Sequence, residues 1–200
     1  MVDMANTDSE RSLGLGKGKV ELRAYDPRWA DLGDAERRKV TTVLQELAKD
    51  VQHVGSTAIP GLASKPILDI AVALRPDADG GEIRRRMTQA GYDYQGDQGP
   101  DGGLLFVRSK DGVRTVHVHM VDENDPEWDR YLVFRDYLRK RPDRRSEYEE
   151  LKRRLAASFP TDRDAYTNGK GRFVKETLQL SRRLYEDRLL DELERKPRDC

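Results

Sequence analysis

The pattern of apolar positions predicts strands in the first half of the chain. Residues 66–74, PILDIAVAL, form an apolar run typical of a strand that is buried on both faces. Residues 104–109 and 114–121 alternate apolar and polar positions, and the Asp-Gly pair between them predicts a β-hairpin. Shorter strands are predicted at 20–24 and 51–54.

Apolar positions at helical spacing predict helices in the remaining segments. The predicted helices run from about residue 26 to Lys49-Asp50 and over 82–90, 126–140, 146–159 and 172–190. Residues 92–103 and 160–171 are rich in Gly and Asp and are predicted loops, with a short strand at the start of 92–103 as an alternative. No strand signal follows residue 126, so a helical layer beside a sheet is expected.

These elements predict one α+β domain (mixed α/β) over about residues 19–185. The sheet-bearing part is expected at 19–122 and the helical part at 126–185. Residues 1–18 are polar and Gly-rich and are predicted to be a disordered tail, while the charged residues 186–200 are predicted to fray.

Composition narrows the possible partners. The 200 residues carry 37 basic and 37 acidic side chains, so the net charge is zero and long nucleic acid is not expected as a partner. The single cysteine, Cys200, excludes an internal disulfide framework and a Cys-rich zinc site. The absence of a run of about 20 apolar residues and of a signal-type N-terminus predicts a cytoplasmic protein without a membrane partner. The oligomeric state is left open.

Asp69 is the one charge within the apolar run. A buried charge needs a partner, which here is either a metal ion or a backbone donor or water near the strand end. Upstream, Gly55-Ser56 suits a tight strand-to-helix turn, and Ser56 or Thr57 can cap a short helix. Free amides at such a helix start favour an anion, but an ordinary cap without a ligand fits equally.

His117 and His119 alternate with apolar residues along a predicted strand, so both imidazoles project from one face. Paired imidazoles on one face are a common metal arrangement. A polar sheet face, with each histidine bonded to neighbouring groups, is the alternative.

Five segments resemble the GrpB-like family of the nucleotidyltransferase superfamily of the DNA polymerase β type, over about residues 20–181. They are YDPRW at 25–29, HVGSTAIPGLASKPILDI at 53–70, VHVHMV at 116–121, FRDYL at 134–138 and YTNGKGRFV at 166–174. The resemblance implies a nucleotidyltransferase-like mixed β-sheet flanked by helices. It also implies that the Gly-Ser turn holds a triphosphate and that strand carboxylates hold a divalent metal.

One position departs from the superfamily pattern. A second strand acid is expected two residues after Asp69, where this chain has Ala71. If the strand of 114–121 lies beside the Asp69 strand, His117 or His119 can replace that acid. We therefore predict Asp69, His117 and His119 as metal ligands, with Asp69 and His119 as the catalytic pair. Magnesium or manganese is expected by analogy, and zinc is an alternative because imidazole favours it over magnesium.

The predicted phosphate-binding residues are Gly55, Ser56, Thr57, Lys65, Arg135, Tyr166 and Lys170. Arg135 lies within a largely apolar helical stripe, so it either points to an anion or forms a buried ion pair with an acid such as Asp136. For the segment with Lys170, a tight Asn-Gly turn is the alternative. Arg108 and Arg114 flank the hairpin and either meet phosphate or are solvated.

Three functions remain open from the sequence. The first is transfer of a nucleotidyl group from a nucleoside triphosphate to an unknown acceptor, with a divalent metal. The second is a catalytically degenerate nucleotide-binding or accessory protein, because Ala71 removes an acid and GrpB-like domains also occur fused to a coenzyme A biosynthetic kinase. The third is a metal-dependent hydrolase that uses Asp69 and the two histidines to activate water.

Overall fold

The computed structural model of the protein describes residues 12–16, 18–98, 103–110 and 112–195, with side chains up to residue 183 except those of residues 97 and 98. The disorder predicted for residues 1–11 and the fraying predicted for 196–200 lie outside the described residues. Within the described ranges, the fold is the predicted mixed α+β arrangement, with a sheet-bearing part followed by a helical part.

Six strands form one mixed sheet. They are β1 (Leu15–Gly16), β2 (Ala48–Val54), β3 (Leu68–Leu74), β4 (Asp93–Gln98), β5 (Gly103–Lys110) and β6 (Val113–Asp122). Their order is β2-β3-β6-β5-β4, and β1 pairs with the start of β6. Among the strand pairs that the structure describes, the central β3–β6 pair alone is parallel. The predicted β5–β6 hairpin is confirmed.

Six α-helices surround the sheet in the described ranges. They are α1 (Arg28–Leu44), α2 (Gly80–Gln89), α3 (Pro126–Lys140), α4 (Pro142–Ser158), α5 (Arg163–Asn168) and α6 (Gly171–Arg195). Short 3₁₀ turns follow α1 at Gln45–Leu47 and β2 at Ser56–Ala58. Within the described ranges, no helix is both long and apolar enough to cross a membrane.

The main hydrophobic core lies between one face of the sheet and helices α1 and α2. The strands contribute alternate residues, among them Ile70 and Val118, and the helices contribute Trp29, Leu44 and Met87. Each such side chain contributes roughly 1.5–3 kcal/mol when it is fully buried. A second cluster joins the loop after β2 to helices α3, α4 and α6. It consists of Ile59, Leu62, Tyr137, Leu138, Tyr148 and Phe173.

The N-terminal prediction is wrong for the part of residues 1–18 that the structure describes. Leu15 is buried and pairs with Arg114 of β6, and the Ser12 hydroxyl donates a 2.7 Å hydrogen bond to Asp26. The strand predicted at 20–24 is absent there, where only a single bridge joins Arg23 to Ser64. Backbone pairing to β6 orders the segment, which its polar composition does not indicate.

Three other boundaries differ from prediction. Helix α1 ends at Leu44, because Gln45 takes a positive φ of 50°, and β2 already begins at Ala48. Residues 93–98 are the edge strand β4 although DYQGDQ shows no apolar alternation, because β5 supplies the backbone partners. Residues 163–168 are helical, since the Asp162 side chain accepts hydrogen bonds from the first backbone amides.

Candidate functional site

The parallel register between β3 and β6 brings the predicted metal ligands together. It sets Asp69 opposite His117, and Ala71 opposite His119. The Asp69 Oδ1 atom lies 3.3 Å from His117 Nδ1 and 3.6 Å from His119 Nε2. The expectation that the histidine strand lies beside the Asp69 strand is therefore confirmed.

The position of the missing second acid is closed to solvent. Ala71 is 0% exposed and lies on the same strand face as Asp69, next to His119. His119 keeps 29% of its side chain exposed, and its ring lies 5.8 Å from the ring of Tyr131. At this end of β3, an imidazole rather than a second carboxylate therefore faces the Asp69 oxygen.

The donor set fits a divalent transition metal. One ligand atom each from Asp69, His117 and His119 can be chosen so that all lie within 4.8 Å of one another. Two imidazole nitrogens and one carboxylate oxygen suit zinc, manganese or iron, whereas magnesium prefers oxygen ligands alone. Burial lowers the pKa of His117, which favours the neutral imidazole that a metal needs.

The Asp69 carboxylate stays charged despite its surroundings. Burial by itself would raise the pKa of Asp69, but contacts with His117 and His119 outweigh burial and hold that pKa below its usual range. A charged carboxylate between two imidazoles is the form that binds a cation.

The turn between β2 and β3 lies directly against Asp69. Gly55 has φ 67° and ψ −168°, and a Cβ atom at this position would lie 2.4 Å from Asp69 Oδ2. Only glycine fits both the backbone and this approach. The predicted caps by Ser56 or Thr57 are wrong, because the following 3₁₀ turn has no side-chain cap. The Thr57 hydroxyl instead lies 3.0 Å from His53 Nε2.

Arg135 does not join the cavity, because its guanidinium is held elsewhere. It is only 9% exposed and pairs with Asp136, as one of the two predicted interpretations expected. Its Nη1 donates to the carbonyl of His53 at 2.9 Å. One helical turn later, Arg139 donates to the carbonyl of Ala58, also at 2.9 Å. The two arginines of α3 thus fix the backbone on both sides of the Gly55-Ser56 turn.

Helix α4 contacts the loop that follows the Gly55-Ser56 turn. Tyr148 of this helix is buried and belongs to the cluster that also contains Ile59 and Leu62 of the loop after β2. The Glu149 carboxylate accepts the backbone N–H of Ala63 at 3.1 Å, and the buried Lys152 ammonium donates to the carbonyl of Ala63. These contacts fix the loop that carries Lys65 toward the cavity.

A cavity of about 760 Å³ opens over the metal-ligand cluster. It is lined by Asp69, His117 and His119 and by six of the seven predicted phosphate-binding residues, namely Gly55, Ser56, Thr57, Lys65, Tyr166 and Lys170. The exception among the predicted residues is Arg135, which lines a smaller, separate cavity of about 250 Å³. The fold therefore gathers residues that are up to 115 positions apart in the chain, from Gly55 to Lys170.

Two lysines share one aromatic ring in this cavity. The Lys65 and Lys170 ammonium groups lie 5.0 Å and 4.8 Å from the centre of the Tyr166 ring. Burial, followed by the charges of Lys170 and Arg163, lowers the pKa of Lys65 to about 8, and burial also lowers the pKa of Lys170. Concentrated positive charge that is partly removed from water favours an anionic ligand.

Sequence reasoning missed some of the lining residues. Arg163 and Tyr131 line the cavity without having been predicted, and Arg114 does so as one of its two predicted interpretations allowed. Arg108 instead pairs with Glu36 on the other side of the sheet. Arg163 lies in the segment 160–171, which was predicted to be a loop with Tyr166 and Lys170 as site residues, but nothing in the sequence singled out Arg163 itself.

The fold and the cavity together define an α+β protein with a candidate transition-metal site and a candidate anion site. A family model described as GrpB protein matches residues 19–180. The chain belongs to the GrpB family.

Relatives and a solved structure agree with this assignment. The chain is 37% identical over 170 residues to the glutamate-rich protein GrpB of Alkalihalophilus pseudofirmus, covering 83% of this chain and 98% of the relative. The crystal structure of the conserved protein GrpB from Enterococcus faecalis is 30% identical and superposes with a TM-score of 0.74, covering 82% of this chain and 99% of that one.

A further relative has a different name. The chain is 28% identical over 190 residues to a protein named dephospho-CoA kinase from Mycolicibacterium paratuberculosis, and the match covers 83% of this chain but only 46% of that protein. The similarity therefore concerns about half of that relative.

Proposed function

We propose that this protein transfers a nucleotidyl group from a nucleoside triphosphate to an acceptor, with a divalent metal held by Asp69, His117 and His119. The observation that carries the proposal is that this cluster lines the same cavity as the Gly55-Ser56 turn and the Lys65–Lys170 pair. A metal-ligand cluster beside concentrated positive charge suits phosphate chemistry.

Each group of cavity residues has a separate role in the proposed reaction. The backbone of Gly55 and the hydroxyl of Ser56 face the triphosphate, while Lys65 and Lys170 neutralise its charge. Tyr166 keeps the two ammonium groups in place through its ring. A bound divalent ion supplies Lewis-acid stabilisation of phosphate charge. The acceptor oxygen bonds to the α-phosphorus while pyrophosphate leaves.

Calorimetric titration with ATP, GTP, CTP and UTP, with and without Mg²⁺ or Mn²⁺, tests the proposal. Asp69→Asn keeps the shape of the side chain and removes its charge, and Asp77→Asn, at an exposed aspartate after β3, is the matched control. We expect metal-dependent binding that weakens at least about tenfold in Asp69→Asn and is unchanged in the control. Metal-independent binding that survives in Asp69→Asn would instead support the degenerate nucleotide-binding alternative.

The donor set favours a second candidate function, metal-dependent hydrolysis. Two imidazoles and one carboxylate are a ligand set of zinc hydrolases, and Ala71 leaves no second strand acid. In this case water takes the place of the acceptor. Metal analysis of the purified protein separates the two functions: tightly held zinc or iron favours hydrolysis, and manganese or magnesium that binds together with a triphosphate favours transfer.

A further inference from the structure

Two arginines of the cavity have no part in the proposed function. Arg114 lies at the start of β6, and Arg163 is the first residue of α5. Both are half-buried and line the cavity together with Asp69, His117 and His119. They come from different parts of the fold and meet only at this site.

Neither arginine has a carboxylate partner within the described part of the chain. The hydrogen bond of the Arg114 guanidinium goes to Gln95 Oε1, at 3.4 Å, and no ion pair involves Arg163. Other arginines, such as Arg37, Arg86 and Arg153, pair with acids. Burial, followed by the charge of Arg114, lowers the pKa of Arg163, whereas Asp69 and Asp164 raise it by less, so the two guanidinium groups repel each other. An anion bound between the two guanidinium groups would offset the cost of burying their charge and would reduce their mutual repulsion.

Arg114 extends toward the edge of the sheet away from the Gly55-Ser56 turn. Its hydrogen-bond partner, Gln95, belongs to β4 at one edge, whereas the turn follows β2 at the other edge. The cluster on β3 and β6 lies between these two edge strands in the strand order. Arg163 is within electrostatic range of the lysines as well, since its charge contributes to lowering the pKa of both Lys65 and Lys170.

We propose that Arg114 and Arg163 form a second anion subsite, which binds an oxyanion group, phosphate or carboxylate, of a small-molecule acceptor. A guanidinium presents paired N–H donors that match the two oxygens of either group. The role of the bound molecule as an acceptor rests on the proposed transfer function, whereas anion binding by the two arginines does not depend on it.

Inorganic phosphate and acetate are the probes for this subsite. Each is titrated calorimetrically into the full-length protein saturated with ATP and Mn²⁺, so that the nucleotide occupies the Lys65–Lys170 half of the cavity. The variants are the double change Arg114→Gln/Arg163→Gln and its charge-preserving form Arg114→Lys/Arg163→Lys. Arg75→Gln, at an exposed arginine beyond the far end of β3, is the control. Thermal unfolding verifies that each variant is folded.

We expect at least one probe to bind the wild type and the Arg75→Gln control equally. Binding of that probe weakens about tenfold or more in the double glutamine variant and less in the double lysine variant, while ATP affinity stays within about twofold. Phosphate binding alone or acetate binding alone identifies which group the subsite accepts.

Three results would overturn the subsite. The first is that neither probe binds, and the second is that the double glutamine variant binds as the wild type does. The third is a loss of ATP affinity in that variant as large as in Lys65→Gln, which would assign the arginines to the triphosphate. If ATP does not bind at all, the transfer function fails. Phosphate and acetate are then titrated into the protein without ATP. Weaker probe binding in the double glutamine variant, with unchanged binding in the Arg75→Gln control, supports the subsite, and any other result overturns it.

Discussion

The two faces of β3 and β6 show how the same strands serve a core and a site. Ile70 and Val118 project toward α1 and α2 into a closely packed apolar core. The alternate residues, Asp69, His117 and His119, project toward a cavity on the opposite face. Because side chains alternate along a strand, each strand provides both environments. The comparison indicates that stability rests on one face of the sheet and candidate chemistry on the other.

The largest expected effect on stability comes from Ile70→Ala, on the core face. Ile70 is fully buried, so truncation should lower the free energy of unfolding by about 2–5 kcal/mol. The partner on the site face is His119→Ala, which should change the free energy of unfolding by less than about 1 kcal/mol. That variant should weaken metal binding at least about tenfold. Urea denaturation measures the stability of both variants, and metal titration measures their metal affinity. Similar losses of stability in the two variants would contradict the division between a core face and a site face.

Arg135→Gln tests how the helical layer supports the site face. The change removes a charged donor to the His53 carbonyl beside the Gly55-Ser56 turn, and we expect it to lower the free energy of unfolding by about 1.5–3 kcal/mol. Nucleotide affinity should fall as well, because the turn is less well fixed. Arg130→Gln removes an exposed pair with Glu127 on the same helix, and it should stay within about 0.5 kcal/mol. Unchanged nucleotide affinity in Arg135→Gln would contradict the role of this support.

Gly55→Ala separates backbone strain from the contact with Asp69. The positive φ should lower the free energy of unfolding by about 1–3 kcal/mol, and the added methyl group should displace the Asp69 carboxylate and weaken metal binding. Gly91→Ala is the matched control, because Gly91 has φ 86° and open space at its Cβ position. Both variants should lose stability, but only Gly55→Ala should lose metal affinity in calorimetry. Equal metal affinity in the two variants would refute the close approach.

A different kind of effect is expected in how stability depends on pH. Burial, followed by the charge of Lys170, lowers the pKa of Lys152 to about 7 in the folded chain, from 10.5 for an ordinary lysine. Between these values the unfolded chain binds more protons, so Lys152 makes stability rise with pH over that window. Below pH 7 the folded protein carries the full cost of the buried charge.

Lys152→Met should remove this rise. Urea midpoints measured from pH 6 to pH 10 should increase less steeply in the variant than in the wild type, and the variant should gain most below pH 7. Lys175→Met, on helix α6, is the control and should leave the slope unchanged. Parallel pH profiles for wild type and Lys152→Met would show that the ammonium is better solvated than its burial indicates.

The sequence predicted the parts of the site that depend on strand periodicity. The spacing of His117 and His119 placed both on one face, and the resemblance placed that strand beside Asp69, as the register shows. Strand β4 was predicted only as the alternative to a loop at 92–103, because its residues are polar and its partners come from β5. Arg163 escaped prediction because its role depends on where α5 lies, which local sequence does not encode. Arg135 forms the ion pair with Asp136 that one interpretation predicted, and it lies outside the cavity that holds the other predicted phosphate-binding residues.

The parallel pairing of β3 with β6 also bears on the order in which the molecule assembles. The β5–β6 hairpin closes a short loop, whereas Asp69 and His117 are 48 residues apart and meet only after β3 docks beside β6. Contacts between distant segments cost more loop-closure entropy, so we expect this docking to follow hairpin formation. A cation that requires all three ligands would then bind the native state alone. Such a cation would slow unfolding rather than speed folding, and it would therefore raise the kinetic stability of the native state.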